Sequence, residues 1–257
     1  MTKIIITAVT MLASFLMQAQ VSEIRRTGSF SKIEVESGIE LLYSQDSAVS
    51  VKAEATNQED LTRVVTEVKG RTLRIYYAAK NKMAITAPVK IYVNANNVNS
   101  FKAISNSKIV FKNVVISEEI KIDVATGASF VGKLAKNSKV TVNASTGALF
   151  CGQVATDHLS GSFKTGAAVS LSGTAKKTVL FASSGSYCTV KNLASENATI
   201  NAKELSSVLF NGEGKINVNA SSGSSISYFG KPKAIKIAEN SIAIENREKS
   251  HLLIAMD

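Results

Sequence analysis

The 257-residue chain has no tryptophan, two prolines, two cysteines and two histidines, and aromatic residues make up only 6% of it. Each shortage excludes something. His158 and His251 leave little from which to build a catalytic triad or a histidine metal centre. His158 is expected in a turn between repeats and His251 in a charged tail, both as solvated side chains. Cys151 and Cys188 form neither a CxxC pair nor a disulfide framework. There is no phosphate-binding glycine loop. Carboxylates such as Glu118, Glu119 and Asp123 are scattered, so the paired acids of a glycosidase are not laid out. The sequence therefore assigns no catalytic, cofactor-binding or metal-binding residue, implies no cofactor, and points to a protein that is not an enzyme. The scarcity of aromatic residues among the basic ones argues against nucleic acid as a partner.

Long hydrophobic runs are also missing, with one exception. Lys3 followed by the apolar stretch Ile4 to Met17, with Ala19 before Gln20, reads as a signal peptide over 1–19. No other stretch approaches the length of a transmembrane helix, and no series of amphipathic strands suggests a translocating barrel. The expected destination is export: periplasm, outer-membrane surface or extracellular space. The leader holds Lys3 and no acid, so its removal takes the formal charge from +10 to +9. That excess is spread over Lys102, Lys108, Lys112, Lys121, Lys133, Lys136, Lys139, Lys164, Lys176 and Lys177, among others. It suits an anionic glycan or another anionic envelope component, and equally suits lysines that keep β edges from pairing. Nothing in the sequence sets an oligomeric state or identifies a ligand-binding residue.

What the chain has in quantity is one short motif. It reads Val124-Ala-Thr-Gly-Ala-Ser-Phe130, Ala144-Ser-Thr-Gly-Ala-Leu-Phe150 and Phe163-Lys-Thr-Gly-Ala-Ala-Val169, then Ala182-Ser-Ser-Gly-Ser-Tyr-Cys188 and Ala220-Ser-Ser-Gly-Ser-Ser-Ile226. Aligned on the glycine, the slots are Asn106, Gly127, Gly147, Gly166, Gly185, Leu205 and Gly223, at steps of 18 to 21 residues. Such a period means stacked coils. Glycine and asparagine take positive φ readily, so each slot is expected to be a sharp corner, with Leu205 distorting its own. Three, five and seven residues before the slot stand apolar residues such as Ile120, Ile122 and Val124, with polar residues between them. The inward set continues after the slot with Ile109, Phe130, Phe150, Val169, Cys188, Val208 and Ile226 three residues on, and Phe111, Leu171, Val190, Phe210 and Tyr228 five residues on. Period-two alternation of this kind makes strands with one buried side.

The fold class that follows is all-β: a parallel β-helix or β-solenoid of about 20-residue coils, right-handed as parallel crossovers are. Each coil holds two strands around its corner and a third near Leu134, Val154 and Leu193. Cys188 falls inward and Cys151 outward, about 9–10 Å apart along the axis by the ~4.8 Å spacing of strands. That exceeds the ~7 Å Cα limit of a disulfide, so two free thiols are expected. Residues 20–98 read as an N-terminal β region of the same solenoid, 99–233 as its repeat coils, and 234–257 as a C-terminal cap or tail. In the first region Asn57 caps a short helical turn and Lys69-Gly70 makes a hairpin.

Three further stretches, Phe30-Ser-Lys-Ile-Glu-Val-Glu-Ser-Gly-Ile-Glu-Leu41, Val51-Lys-Ala-Glu-Ala55 and Gly70-Arg-Thr-Leu-Arg-Ile75, together with the repeats and the closing Tyr228-Phe-Gly-Lys-Pro232, resemble the head GIN domain family of auto-transporter adhesin heads. The resemblance covers about 28–233. It implies a β-solenoid, an exported or envelope location and an adhesive role, and carries no catalytic residues. The reading that results is an exported, non-enzymatic, adhesin-like binding module, with a polysaccharide-active enzyme or a structural envelope-stress protein as alternatives on the same scaffold.

Overall fold

The computed structural model describes residues 20–78, 89–238 and 244–246. The expected signal peptide and His251 lie outside them, as does most of the tail. The chain is a β-solenoid of about seven turns at ~20-residue spacing.

It enters through β1 (Val21–Arg25) and lays down β2 (Lys32–Val35) and β3 (Glu40–Ser44) on either side of a corner at Ser37 and Gly38. Next come β4 (Ser50–Ala55), the short helix α1 (Gln58–Arg63), β5 (Val64–Lys69), β6 (Thr72–Tyr77) and β7 (Lys90–Asn94). β6 lies parallel on β2, and β7 parallel on β3. The chain then crosses to the other side, where β8 (Ser100–Ala103) and β9 (Lys108–Val115) stack on the free edges of β2 and β3. The layer made first is therefore sandwiched between two made later. Antiparallel strands close this end of the stack. β4 pairs with β7 and β1 with β4, while β5 and β6 form the hairpin turned by Gly70 and Arg71, at φ 57° and 61°. α1 begins where the Asp60 N–H donates to Asn57 Oδ1 at 2.7 Å.

From here the layers follow in order. β10 (Glu119–Ala125) is succeeded by four long strands, β11 (Ser129–Ser145), β12 (Leu149–Phe163), β13 (Ala168–Ala182) and β14 (Tyr187–Ala202). Each climbs one wall, bends across a third face and descends the opposite wall. The expected third strand is this bend: Leu134, Val154, Gly173 and Leu193 are ladder partners there. β15 (Ser207–Asn211), β16 (Lys215–Ala220), β17 (Ser225–Phe229), β18 (Ala234–Ile237) and β19 (Ile244–Asn246) continue the stack, with β18 parallel on β16 and β19 parallel on β17. The wall holding β2, β8, β10 and β16 is termed the first wall, and that holding β3, β9, β15 and β17 the second.

At the corners two consecutive residues take the left-handed conformation. Asn106, Gly127, Gly147, Gly166, Gly185 and Gly223 have φ of 61° to 73°, and Ser105, Thr126, Thr146, Thr165, Ser184 and Ser222 before them 50° to 55°. Positive φ at both central residues defines a type I′ turn. Each slot N–H donates to the carbonyl preceding the next slot, as Gly127 does to Thr146 and Gly147 to Thr165, so the corners form a ladder of their own. That ladder corrects the expectation for Leu205. Its corner is regular, with φ 61° and an N–H donated to the Ser222 carbonyl at 3.1 Å, and the leucine side chain projects outward, 77% exposed.

Inside, Phe130 and Phe150 are stacked, with ring centroids 4.7 Å apart and planes 9° from parallel. The corner motif also supplies polar fasteners. Ser107, Ser186, Ser206 and Ser224, one residue after their slots, are buried, and their hydroxyls donate to the carbonyls of Val35, Phe163, Ala182 and Ala202 in the preceding layer at 2.7–3.1 Å. Alanines at 128, 148 and 167 take the same place without the bond.

Both cysteines are free, Cys151 exposed and Cys188 buried. Burial pushes the Cys188 thiol above its ordinary range, and the thiolate is the reactive form. A thiol reagent is expected to label one cysteine in the folded protein and two in denaturant. Rapid labelling of both under native conditions would contradict the buried position of Cys188.

Candidate functional site

The exterior of the first wall presents columns of side chains one rung apart. One column runs Asp123, Asn143, Ser162, Phe181, Asn201 and Asn219. Strand alternation turns these positions outward, so the Phe181 ring stands 50% exposed among amides and hydroxyls. A second column, toward the third face, runs Glu119, Lys139, His158, Lys177, Asn197, Lys215 and Ala234. His158 is exposed as expected, but it sits in β12 rather than in a turn. The lysines recur on alternate rungs, about 9–10 Å apart by strand spacing.

Three adjoining hollows of about 660, 590 and 290 Å³ indent this wall. The largest of them is lined by Phe181, Asn201, Asn219, Lys164 and Lys203, and the next by Lys177, Lys215, Lys236 and Asn197. The carboxylates nearby are engaged. Asp123 pairs with Lys121 at 3.0 Å and accepts from Asn143 Nδ2 at 2.7 Å. Glu204 accepts from Ser184 Oγ at 2.7 Å, and that hydroxyl, with Lys203 beside it, holds the carboxyl below its usual range. Among the described residues, Lys139, Lys177, Lys215 and Lys236 have no carboxylate within ion-pair distance.

The lysines singled out in the sequence thus separate into groups. Lys102, Lys108 and Lys121 are ion-paired with Glu34, Glu40 and Asp123. Lys112 and Lys133 belong to the second wall, and Lys139, Lys164 and Lys177 to the first. Lys136 and Lys176 line a groove of about 850 Å³ on the third face, where Lys176 meets Asp157 at 2.8 Å. That contact holds the Asp157 carboxyl below the usual range. Glu196, Glu213 and Lys233 also line the groove, so its charges nearly cancel, whereas the first-wall hollows carry a cationic excess. Among the described residues no cluster of His, Cys, Asp and Glu is arranged to hold a metal ion, and no helix is long and apolar enough to cross a membrane.

Phe181 has a sequence signal of its own: it stands four residues before the Gly185 slot, an outward position. The corner at Gly38 was equally visible, since Val35-Glu-Ser-Gly-Ile-Glu-Leu41 repeats the motif and its φ is 75°.

Solved structures share this architecture. An adhesin from Parabacteroides distasonis titled putative is 16% identical with a TM-score of 0.81, and one from Parabacteroides merdae is 15% identical with a TM-score of 0.77. A protein of Parabacteroides distasonis titled a putative lipid binding protein is 16% identical with a TM-score of 0.75. Each comparison covers 88% of this chain and 96% of the other. Among curated proteins none matches. The family model described as "Putative auto-transporter adhesin, head GIN domain" matches residues 29–232, and the chain belongs to that family.

Proposed function

We propose that the protein is a non-enzymatic binding module of the cell envelope whose first wall holds an extended anionic glycan. The observation that carries this reading is the exposed Phe181 ring in a column of Asn and Ser side chains, on the same wall as a lysine column on alternate rungs, with the Thr141, Ser160, Val179 and Thr199 column between them. The apolar face of a sugar ring covers an aromatic side chain, its hydroxyls exchange hydrogen bonds with amides, and regularly spaced lysines meet recurring carboxylates or sulfates along a chain. A rigid parallel ladder keeps these groups in place without a closing motion. The adhesin names of the family and of its structural neighbours agree with a binding role.

The test is calorimetric titration of the purified protein with uronate-containing and neutral oligosaccharides at low and high salt. Binding is expected only for the acidic series and is expected to weaken with salt. Replacing Lys139, Lys177 and Lys215 by Gln should reduce the salt dependence, and Phe181→Ala should lower affinity by about tenfold, the scale of one lost aromatic stacking contact. Absence of binding to every acidic glycan at low salt would overturn the proposal.

A polysaccharide-cleaving activity is the second reading, and it belongs to the third-face groove, where Asp157, Glu196 and Glu213 face Lys136, Lys176 and Lys233. Asp157 is held ionised by Lys176, which suits a charge pair better than a general acid, whose proton must be retained. Release of shorter chains from an acidic polysaccharide, abolished by Glu196→Gln or Glu213→Gln, would favour this reading over the first.

A further inference from the structure

We infer that the second wall is a docking surface for an anionic lipid membrane. From β11 to β17 its outward positions include no carboxylate. They carry hydroxyls, small residues and single large apolar side chains, of which Val131, Leu149 and Tyr187 are 43%, 55% and 50% exposed. Ser129, Leu149, Ala168 and Tyr187 are successive rungs of one column, and Val131 and Cys151 are partners in the next.

Along the margin stand Lys112, Lys133 and Lys191, none with a carboxylate partner among the described residues. A shallow hollow of about 430 Å³ opens between Lys112 and Lys133, floored by Gly132 and Gly152 and lined by Val114, Val131 and Cys151. On the inner side of this floor a Cβ at Gly132 would press on the Phe111 and Phe130 rings and one at Gly152 on the Phe150 ring.

Charge and shape together select the partner. A protein surface offers local pockets and charges of both signs, whereas from β11 to β17 this wall has no anion to meet cations; Glu40 and Glu245 lie on its flanking strands β3 and β19. A membrane surface is uniform and asks only for scattered apolar groups that enter the headgroup layer, an amphipathic aromatic at the boundary and lysines that reach phosphate. The walls are distinct, so a membrane on the second wall leaves the first exposed.

The test is co-sedimentation of the protein with phosphatidylcholine vesicles, with and without phosphatidylglycerol. Binding is expected only with phosphatidylglycerol present. Each lysine contributes about fivefold near an anionic surface, so Lys112→Gln with Lys133→Gln should weaken binding roughly 20-fold. Leu149→Ser with Tyr187→Ser should abolish most of what remains while leaving the melting temperature nearly unchanged, because both side chains are half exposed. The inference is overturned by binding to neither vesicle, by equal binding to both, by indifference to these substitutions, or by a loss that instead follows replacement of Lys139, Lys177 and Lys215. Failure of glycan binding would leave it standing, since that assay reads the other wall.

Discussion

Phe150→Ala is expected to lower stability by about 3–5 kcal/mol, the range for truncating a buried aromatic. At roughly 2–4 °C per kcal/mol for a chain of this size, the melting temperature should fall by on the order of 10 °C. Phe150 is 2% exposed and lies between layers, stacked on Phe130. Its ring also occupies the space beneath Gly152, where an added Cβ would meet Phe150 Cε1 at 2.7 Å and Leu171 Cδ2 at 3.3 Å. The small and the large residue are one packing unit, and that coupling can be measured. Gly152→Ala alone should destabilise by pressing on the ring. In a chain already carrying Phe150→Ala the new methyl finds room, so the double mutant should be more stable than the sum of the singles by about 1–3 kcal/mol. Thermal or urea unfolding of the four proteins closes the cycle. Strict additivity would show that the two residues do not share space. Because layers contact only their neighbours, the loss should fall on the layers around β11 and β12, with the stack beyond them protected longer in hydrogen exchange.

The same pair shows what was legible in the sequence. Offsets from the glycine slot identified Phe130 and Phe150 as inward, because alternation in a strand leaves no other choice. They did not show that glycine at 132 and 152 follows from phenylalanine two residues earlier, since that is a matter of volume across layers. Positive φ at the slot was legible from glycine itself. Positive φ at Thr126, Thr146 and Thr165 was not, because β-branched residues resist it and only the stacked turn imposes it. Leu205 misled for a related reason. Propensity argues for a broken corner, yet Leu205 is bonded to the next corner through Ser222 and lies beyond that of Gly185, and tertiary hydrogen bonds outweigh a local preference of about 1–2 kcal/mol. The order of β2, β6 and β8 was hidden because it depends on which strand edge a later segment finds. The wall surfaces were legible as alternating polar positions. The third strand was legible at Leu134, Val154 and Leu193, but the groove over it was not, since its depth depends on how the long strands bend there.

That bend is where an added methyl group is expected to be as disruptive as the loss of a buried ring. Gly173 has φ 110°, in a region an L side chain rarely adopts, and a Cβ there would collide with the carbonyl oxygen of its ladder partner Val154 and press on the Val154 nitrogen at 3.1 Å. The obstacle is backbone held in a ladder with layers on either side, so it cannot swing away as a side chain would. Gly173→Ala therefore combines conformational strain with a forced separation of β12 and β13, and should cost about 3 kcal/mol or more. Gly147 provides the control. Its φ is 70° and an added Cβ would meet nothing within 4 Å, so Gly147→Ala should show the conformational penalty alone, about 1–2 kcal/mol. Urea melts of the two variants separate the contributions. If both lose the same stability, the collision at Val154 is relieved by movement and the bend is softer than its ladder suggests. If Gly173→Ala loses far more, the third face is rigid. The Asp157–Lys176 pair would then be set within a fixed groove, because Ala155 and Thr174, immediately after Val154 and Gly173, line the same groove.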